Sequence, residues 1–256
     1  MPPETVAQRA GEAGEAEALA RLRARLDDLG WYHTQELAPG LVTPGMFDLR
    51  PFVGRYGLPD DLSGMRALDV GTFEGFWAFE LERRGAEVTA IDVDSIQDLD
   101  WPPRLRPEAD DRRGEGFELA RAALGSSVER IGVSVYDATP ERLGGRFDLV
   151  FCGSVLIHLR DPMLALERMA GLCSGRLILA EEYSRKLQLV PFATAAEFRG
   201  ETPWSTWWRP SIRAWLAMAR TAGFEDVRHH ARFRMRFREL RKSVPHVVIH
   251  ARGPGR

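Results

Sequence analysis

Apolar residues along this chain follow two rhythms. Short, nearly unbroken apolar runs at Arg66 to Val70, Val88 to Asp92, Val128 to Tyr136, Phe147 to Cys152 and Arg176 to Glu181 read as buried strands. Between them, Phe73 to Arg84, Phe117 to Leu124 and Pro162 to Leu172 carry the spacing of helices packed by one face. Strand and helix alternate, which predicts an α/β fold around a parallel sheet. Downstream, Ile212, Trp215, Leu216 and Ala219 form one face of a helix over Pro210 to Gly223, with Ser211 as its cap and Gly223 as its stop. Val227 to Phe237 and Val247 to Ala251 then read as a hairpin-like pair closing the sheet edge. Upstream, Leu19, Leu22, Leu26 and Leu29 predict a helix over Ala13 to Leu29, ended by Gly30. Residues 31–62 read mainly as loop, rich in aromatic and hydrogen-bonding groups. Asp98 to Pro107 holds Pro102, Pro103 and Pro107, which exclude a central element. Leu187 to Pro203 reads as an inserted lid. The expected organisation is a helical and lid-forming extension over 1–62, then the main domain over 63–256 with its insertion near 187–209.

Composition narrows this little but usefully. An apolar share of 44% over 256 residues supplies a sizeable core. The longest apolar runs, Leu149 to Cys152 and Leu177 to Ala180, are far too short to span a bilayer. The first residues lack a basic start followed by an apolar block, so no secretory signal is read and a cytoplasmic location is expected. A net charge of −2 gives no general attraction to nucleic acid or to an anionic membrane. Cys152 and Cys173 sit in apolar segments and read as reduced packing residues, so no metal site is expected.

The chemistry concentrates at Asp69-Val70-Gly71-Thr72-Phe73-Glu74-Gly75, between the first strand and the first helix. A dinucleotide loop would need glycine where Phe73 and Phe76 stand. Asp92 ends the second strand, 21 residues after Gly71, close to the spacing at which an acid meets a ribose diol. The motif D-x-G-x-x-x-G resembles motif I of the class I S-adenosylmethionine (SAM) methyltransferases. That resemblance implies a Rossmann-like, seven-stranded sheet with helices on both faces, and SAM beyond the carboxyl ends of its strands. It implies that Asp69, Gly71, Thr72, Phe73, Gly75, Gly153 and Ser154 surround the cofactor, that Asp92 takes the ribose, and that Asp137 with the backbone of Ala138 meets the adenine. The competing reading makes Asp92 and Asp137 ordinary caps of strand ends.

A narrower resemblance follows from Phe147 to Pro162, Pro210-Ser211, Ala222-Gly223-Phe224 and Val248 to Arg252. These segments look like the tRNA wobble-uridine carboxymethyl-transferring enzymes and their relatives. Those enzymes use a carboxylated SAM, anchored by a lysine, a tyrosine and an arginine. Here the tyrosine's place is held by Ile157 and the arginine's by His246, and no lysine lies between Trp31 and Met65. Ordinary SAM and plain methyl transfer are therefore expected.

For the acceptor, His33 and His158 are candidate bases, and Glu181 and Glu182 can bind a hydroxyl, an amine or a proton in transit. Trp31, Tyr32 and His33 on one side, and the segment Trp204 to Arg209 with Trp207 and Trp208 on the other, are expected to close over the methyl group. Tyr183 falls at the fifth strand's end. Arg50 and Arg209 can hold an acidic group of the acceptor, or serve in structural ion pairs. Arg232, Arg234, Arg236 and Arg238 alternate with Phe233, Met235 and Phe237, which suits phosphate contact or a solvated edge strand. The expected function is SAM-dependent methyl transfer to a small molecule, most simply a hydroxyl of a sugar, a phenol or another secondary metabolite. The alternatives are a tRNA wobble-uridine methyltransferase and a SAM-binding protein without catalysis. A small-molecule acceptor is the expected partner, nucleic acid the lesser one and a membrane none. The oligomeric state is left open.

Overall fold

The computed structural model describes residues 17, 20–108, 111–190, 192, 194–201 and 206–255. The expected helix over residues 13–29 is seen over 20–27 (α1), while residues 13–16, 18, 19 and Trp204 lie outside the described residues. A small hairpin follows, Glu36–Ala38 (β1) with Leu41–Val42 (β2), and then a 3-10 helix over Arg50–Tyr56. The main elements are β3 (Arg66–Val70), α2 (Phe76–Arg83), β4 (Glu87–Asp92), α3 (Glu115–Leu124), β5 (Glu129–Gly132) and β6 (Phe147–Gly153). They continue with α4 (Pro162–Leu172), β7 (Cys173–Glu182), β8 (Ala196–Phe198), β9 (Trp208–Pro210), α5 (Ile212–Thr221), β10 (Glu225–Arg236) and β11 (Ser243–Arg252).

Seven strands form one sheet in the order β10-β11-β7-β6-β3-β4-β5. β3 to β7 run parallel, and β11 is inserted antiparallel between β7 and β10. The order reverses between β3 and β6, so a crevice opens beyond the carboxyl ends of those strands. One face carries α4 and α5, where Leu166, Met169 and Trp215 are fully buried against Leu68, Leu177 and Val247. The other carries α2, α3 and residues from the 20–62 segment, with Leu26, Leu62, Leu81 and Phe117 around Ile178 and Val248. The two faces of the expected sheet are thus both covered.

Local chemistry accounts for the element limits. Pro162 opens α4, and Asp161 Oδ1 accepts from the Leu164 N–H at 2.9 Å. Ser211 Oγ accepts from the Ala214 N–H at 3.1 Å and starts α5. Helix α2 begins at Phe76, not at Phe73, because the turn before it uses left-handed backbone up to Gly75. The third parallel strand ends at Gly132 rather than Tyr136. Ser134 caps a 3-10 turn over Val135–Asp137 by accepting from the Tyr136 N–H, which takes the chain out of the sheet. The segment expected to form a lid contributes to a two-stranded antiparallel ribbon, β8 with β9. Among the described residues no helix is long and apolar enough to cross a membrane.

Candidate functional site

The turn between β3 and α2 is fixed from below by two backbone bonds: the N–H groups of Gly71 and Thr72 both donate to Ile91 O, at 2.8 and 3.1 Å. Gly71 has φ +71, and a Cβ there would stand 2.4 Å from Val155 Cγ2. Gly75 has φ +85, and a Cβ would meet the Phe79 ring at 2.4 Å. The glycines thus serve the turn and close side-chain packing together. Phe73 also takes positive φ, +49. Its N–H donates to Asp92 Oδ2 at 2.9 Å, while Asp92 Oδ1 accepts from the Val93 N–H at 2.8 Å. Arg113 Nη2 reaches Asp92 Oδ2 at 3.1 Å, and its guanidinium lies 4.4 Å over the Phe73 ring. A cavity of about 180 Å³ opens beside Phe73, Glu74, Asp92 and Arg113. Asp69 is buried under the turn; burial pushes its carboxyl up to about 7, with Asp92 adding and Thr72 opposing. Asp137 is exposed in its 3-10 turn, and Ala138 is buried beside it.

The second half of the site lies beyond β6, β7 and β11. Ser154 follows Gly153 with φ +59, a strained conformation for a residue with a Cβ. Its N–H donates to Ala180 O at 2.8 Å, and its Oγ lies 2.8 Å from His246 Nε2. His246 is buried, and desolvation pushes its imidazole down to about 4. It is neutral at physiological pH, and with Nδ1 protonated towards Val244 O its Nε2 accepts the Ser154 O–H. Glu181 is fully buried. Its Oε1 accepts from the N–H groups of Val155 and Leu156 at 3.0 and 2.8 Å, while Oε2 is buried without a hydrogen-bond partner. Burial pushes this carboxyl up to about 8. The Tyr32 phenol completes the group. Desolvation pushes it well above its ordinary value; Ser154 hydrogen-bonds to it, and Glu181, Glu74 and Glu182 contribute negative charge around it.

Tyr32 is carried to this place by residues 31–47. The Phe47 N–H donates to Tyr32 O at 2.9 Å, the Thr34 N–H to Phe47 O at 2.8 Å and the Arg238 N–H to Met46 O at 2.9 Å. Gly45 permits that lacing, since a Cβ there would stand 2.1 Å from the carbonyl carbon of His33. Glu74 ties the strap to the glycine turn. Its Oε1 accepts from the Tyr32 N–H at 2.5 Å, its Oε2 lies 3.3 Å from His33 Nδ1, and its carbonyl accepts from Gln35 Nε2 at 3.0 Å.

The other expected acceptor residues are placed as follows. His33 is buried, paired with Glu74 and stacked on Phe76 at 5.3 Å. Trp31 Nε1 donates to Leu26 O and anchors α1. His158 closes a 3-10 turn over Leu156–His158. Trp207 packs beside that turn, its N–H on Ile157 O at 2.7 Å and its ring under Arg160 at 4.9 Å; Trp208 Nε1 donates to Arg160 O. Arg209 Nε lies 3.4 Å from both Glu182 and Glu197. Tyr183 is buried, its N–H on Pro245 O. Arg50 forms a two-contact pair with Asp48, 42% of its side chain exposed, and is engaged within its own turn. Among the described residues no group of three or more His, Cys, Asp or Glu is placed to hold a metal ion.

Three residues escaped the sequence reading as site members: Glu74, Arg113 and His246. Glu74 stood between the two turn glycines, where an acid facing a preceding segment was the available signal. His246 stood in an apolar strand and was read only as a missing cation. Arg113 carried no local signal. The donor set suits SAM: a carboxylate at the end of β4 beside a glycine turn and a cavity, with an arginine N–H donating to Asp92 as a ribose hydroxyl would.

Comparison with known proteins agrees with this geometry. The family model described as a methyltransferase domain matches residues 45–229. The ubiquinone biosynthesis O-methyltransferase of Xanthomonas oryzae pv. oryzae is 32% identical over 180 residues, covering 65% of this chain and 66% of that protein. The tRNA U34 carboxymethyltransferase of Pseudomonas fluorescens is 29% identical over 174 residues, covering 66% of this chain and 48% of that protein. The chain thus spans less than two thirds of the length of the curated relatives it matches. Among solved structures, the SAH-bound N-terminal domain of EvdMO1 superposes with a TM-score of 0.60 at 18% identity, covering 91% of this chain and 96% of that one. The chain belongs to the methyltransferase-domain family, and its fold is that of the class I SAM-dependent methyltransferases.

Proposed function

We propose that this protein transfers the methyl group of ordinary SAM to a hydroxyl of a small molecule, with Glu181 as the base. SAM supplies an electrophilic methyl on a sulfonium. Asp92, the Gly71–Gly75 turn and Asp137 with Ala138 are the groups that would hold it. The observation that carries the acceptor half is the Glu181 carboxyl: fully buried, fixed through one oxygen, with the other unpartnered and a pKa of about 8. A base with a pKa near the working pH suits proton removal from an attacking hydroxyl. Tyr32 and Ser154 stand beside it as orienting donors and acceptors, and His246 fixes the Ser154 hydroxyl. His33, bound to Glu74 and stacked on Phe76, fits the role of holding Tyr32 in place. Trp207 and Trp208 support the turn after β6 and help exclude water.

Two features favour ordinary over carboxylated SAM. Ile157 is buried and apolar, and His246 is neutral, so neither meets an extra carboxylate with a positive charge. The relatives' names support O-methylation of a small molecule more than RNA modification.

The test is turnover of SAM over a panel of sugars and phenols, read as S-adenosylhomocysteine release. Glu181→Gln is expected to lower turnover by roughly 10²–10⁴-fold while SAM affinity stays within a few-fold. Wild-type rate should rise with pH towards a plateau above about 8, where Glu181 is ionised. SAM binding with no turnover of any acceptor would instead support a non-catalytic binder. Turnover unaffected by the substitution would remove Glu181 as the base.

A further inference from the structure

The sheet has a second end, and a large cavity opens there. About 1030 Å³ opens at the amino ends of β3, β6 and β7, opposite the glycine turn. Its floor includes Leu62, Met65 and Leu149; its basic lining is Arg146, Arg176, Arg228 and Arg252, against Asp148 and Asp226.

Register explains how these charges meet. Arg176 on β7 stands directly opposite Arg252 on β11, and Arg228 on β10 directly opposite His250 on β11. His250 and Arg252 are two residues apart, so all four side chains rise from one face of three adjacent strands. Like charges placed directly opposite one another cost stability in a sheet. Most of the cavity's other charges are engaged locally. Arg252 pairs with Glu225 and Asp226, and Asp148 Oδ2 accepts from the Arg66 N–H. Arg146 Nη2 donates to Cys173 O, while its Nε is buried without a partner. The Arg176 and Arg228 side chains, both exposed, have neither an acidic partner nor a hydrogen bond among the described residues, while their backbones pair within the sheet. Beside them His230 stacks on His250 at 4.1 Å and 6°, and His250 Nε2 meets Tyr56 O at 2.8 Å. Burial depresses the His250 imidazole, and the charges of His230, Arg176 and Arg228 push it the same way. On a chain of net charge −2 this is a local concentration of uncompensated positive charge.

We propose that this cavity is a second ligand site, separate from the methyl-transfer site, which takes a phosphomonoester or diphosphate on Arg176 and Arg228. These arginines stand on strands separated by β11, about 10 Å between strand axes. Two guanidinium forks on long arms converge on a multi-oxygen anion, whereas one carboxylate satisfies one fork. Met65, 40% exposed at the cavity, provides apolar surface for the rest of a phosphate-bearing molecule.

The experiment titrates the intact protein with inorganic phosphate, inorganic pyrophosphate and citrate, following the His230 and His250 ring signals by NMR and the melting temperature. Pyrophosphate is expected to shift both rings and raise the melting temperature, with phosphate weaker and citrate without effect. Arg176→Glu and Arg228→Glu, both at exposed positions, are each expected to weaken pyrophosphate binding by about tenfold or more. Arg176→Gln and Arg228→Gln should act in the same direction, and S-adenosylhomocysteine affinity should be unchanged in all four. Absence of any shift at millimolar pyrophosphate, an equal response to citrate, or wild-type affinity in the variants would overturn the proposal.

Discussion

With Asp92 as the proposed ribose acceptor, its contact with Arg113 is the one that cofactor binding would have to renegotiate. Oδ2 already accepts from the Phe73 N–H and from Arg113, and Oδ1 from the Val93 N–H. The Arg113–Asp92 pair is nearly buried, with 18% and 10% of the side chains exposed, so salt screens it little. A charge-assisted bond of this kind contributes about 1.5–3 kcal/mol. Arg113→Ala is therefore expected to tighten S-adenosylhomocysteine binding by several-fold, on the order of one decade at most, because an internal competitor is gone. Calorimetry decides it: weaker binding in the variant would make Arg113 a holder of the cofactor instead. The place of Asp92, at the end of β4 beside the glycine turn, was legible from its distance to that turn. Arg113 was not, because it comes from a segment with no periodicity and meets Asp92 only through the fold.

Elements were legible where a periodic run carried its own punctuation. β3 and α4 match the expected limits to the residue, since Pro162 and the strand's apolar run mark their ends. β1 and β2 were hidden because strands of three and two residues carry no measurable alternation. The turn before α2 shows what the sequence could and could not say. Its glycines were visible, but not that Val155, from the far side of the crevice, fills the space at Gly71. Gly71→Ala forces a Cβ against Val155 and strains a backbone at φ +71. A loss of about 1–3 kcal/mol is expected from the overpacking alone, with SAM affinity falling as well. Denaturant unfolding measures the first effect, and an unchanged midpoint would show that Val155 gives way freely.

Across the protein, buried ionisable groups at the strand ends set opposite pH dependences. Glu181 is raised to about 8 and Asp69 to about 7, so the folded state holds protons that the unfolded chain releases. Their contribution is complete below the unfolded carboxyl range and is lost as pH rises through about 7 to 8. His246 is lowered to about 4, so its contribution is present above the ordinary histidine value and is lost as pH falls through about 4. Glu181→Gln keeps an acceptor for the Val155 and Leu156 N–H groups and cannot ionise. Its melting temperature is expected to fall less than that of wild type between about pH 5 and pH 9. Parallel melting curves for the two proteins across that range would contradict the assignment.

The strap that carries Tyr32 is secured by the β10–β11 hairpin and the turn within it. Arg238 Nη1 reaches Thr43 O across 195 positions of sequence, and His250 meets Tyr56 O across 194. Phe47 bridges Phe237 in the same region. On a ribosome, Arg238 and His250, which hold this segment, emerge 195 and 194 positions after Thr43 and Tyr56. Loop closure over such distances is among the slower steps of folding. The proposed nucleotide side of the crevice, built from β3, β4, α2 and the 3-10 turn at Asp137, draws on residues only up to Ala138. The half proposed to meet the acceptor is completed only once β11 has emerged, so under that proposal a nascent chain would have the parts to grasp the methyl donor before it has those to use it.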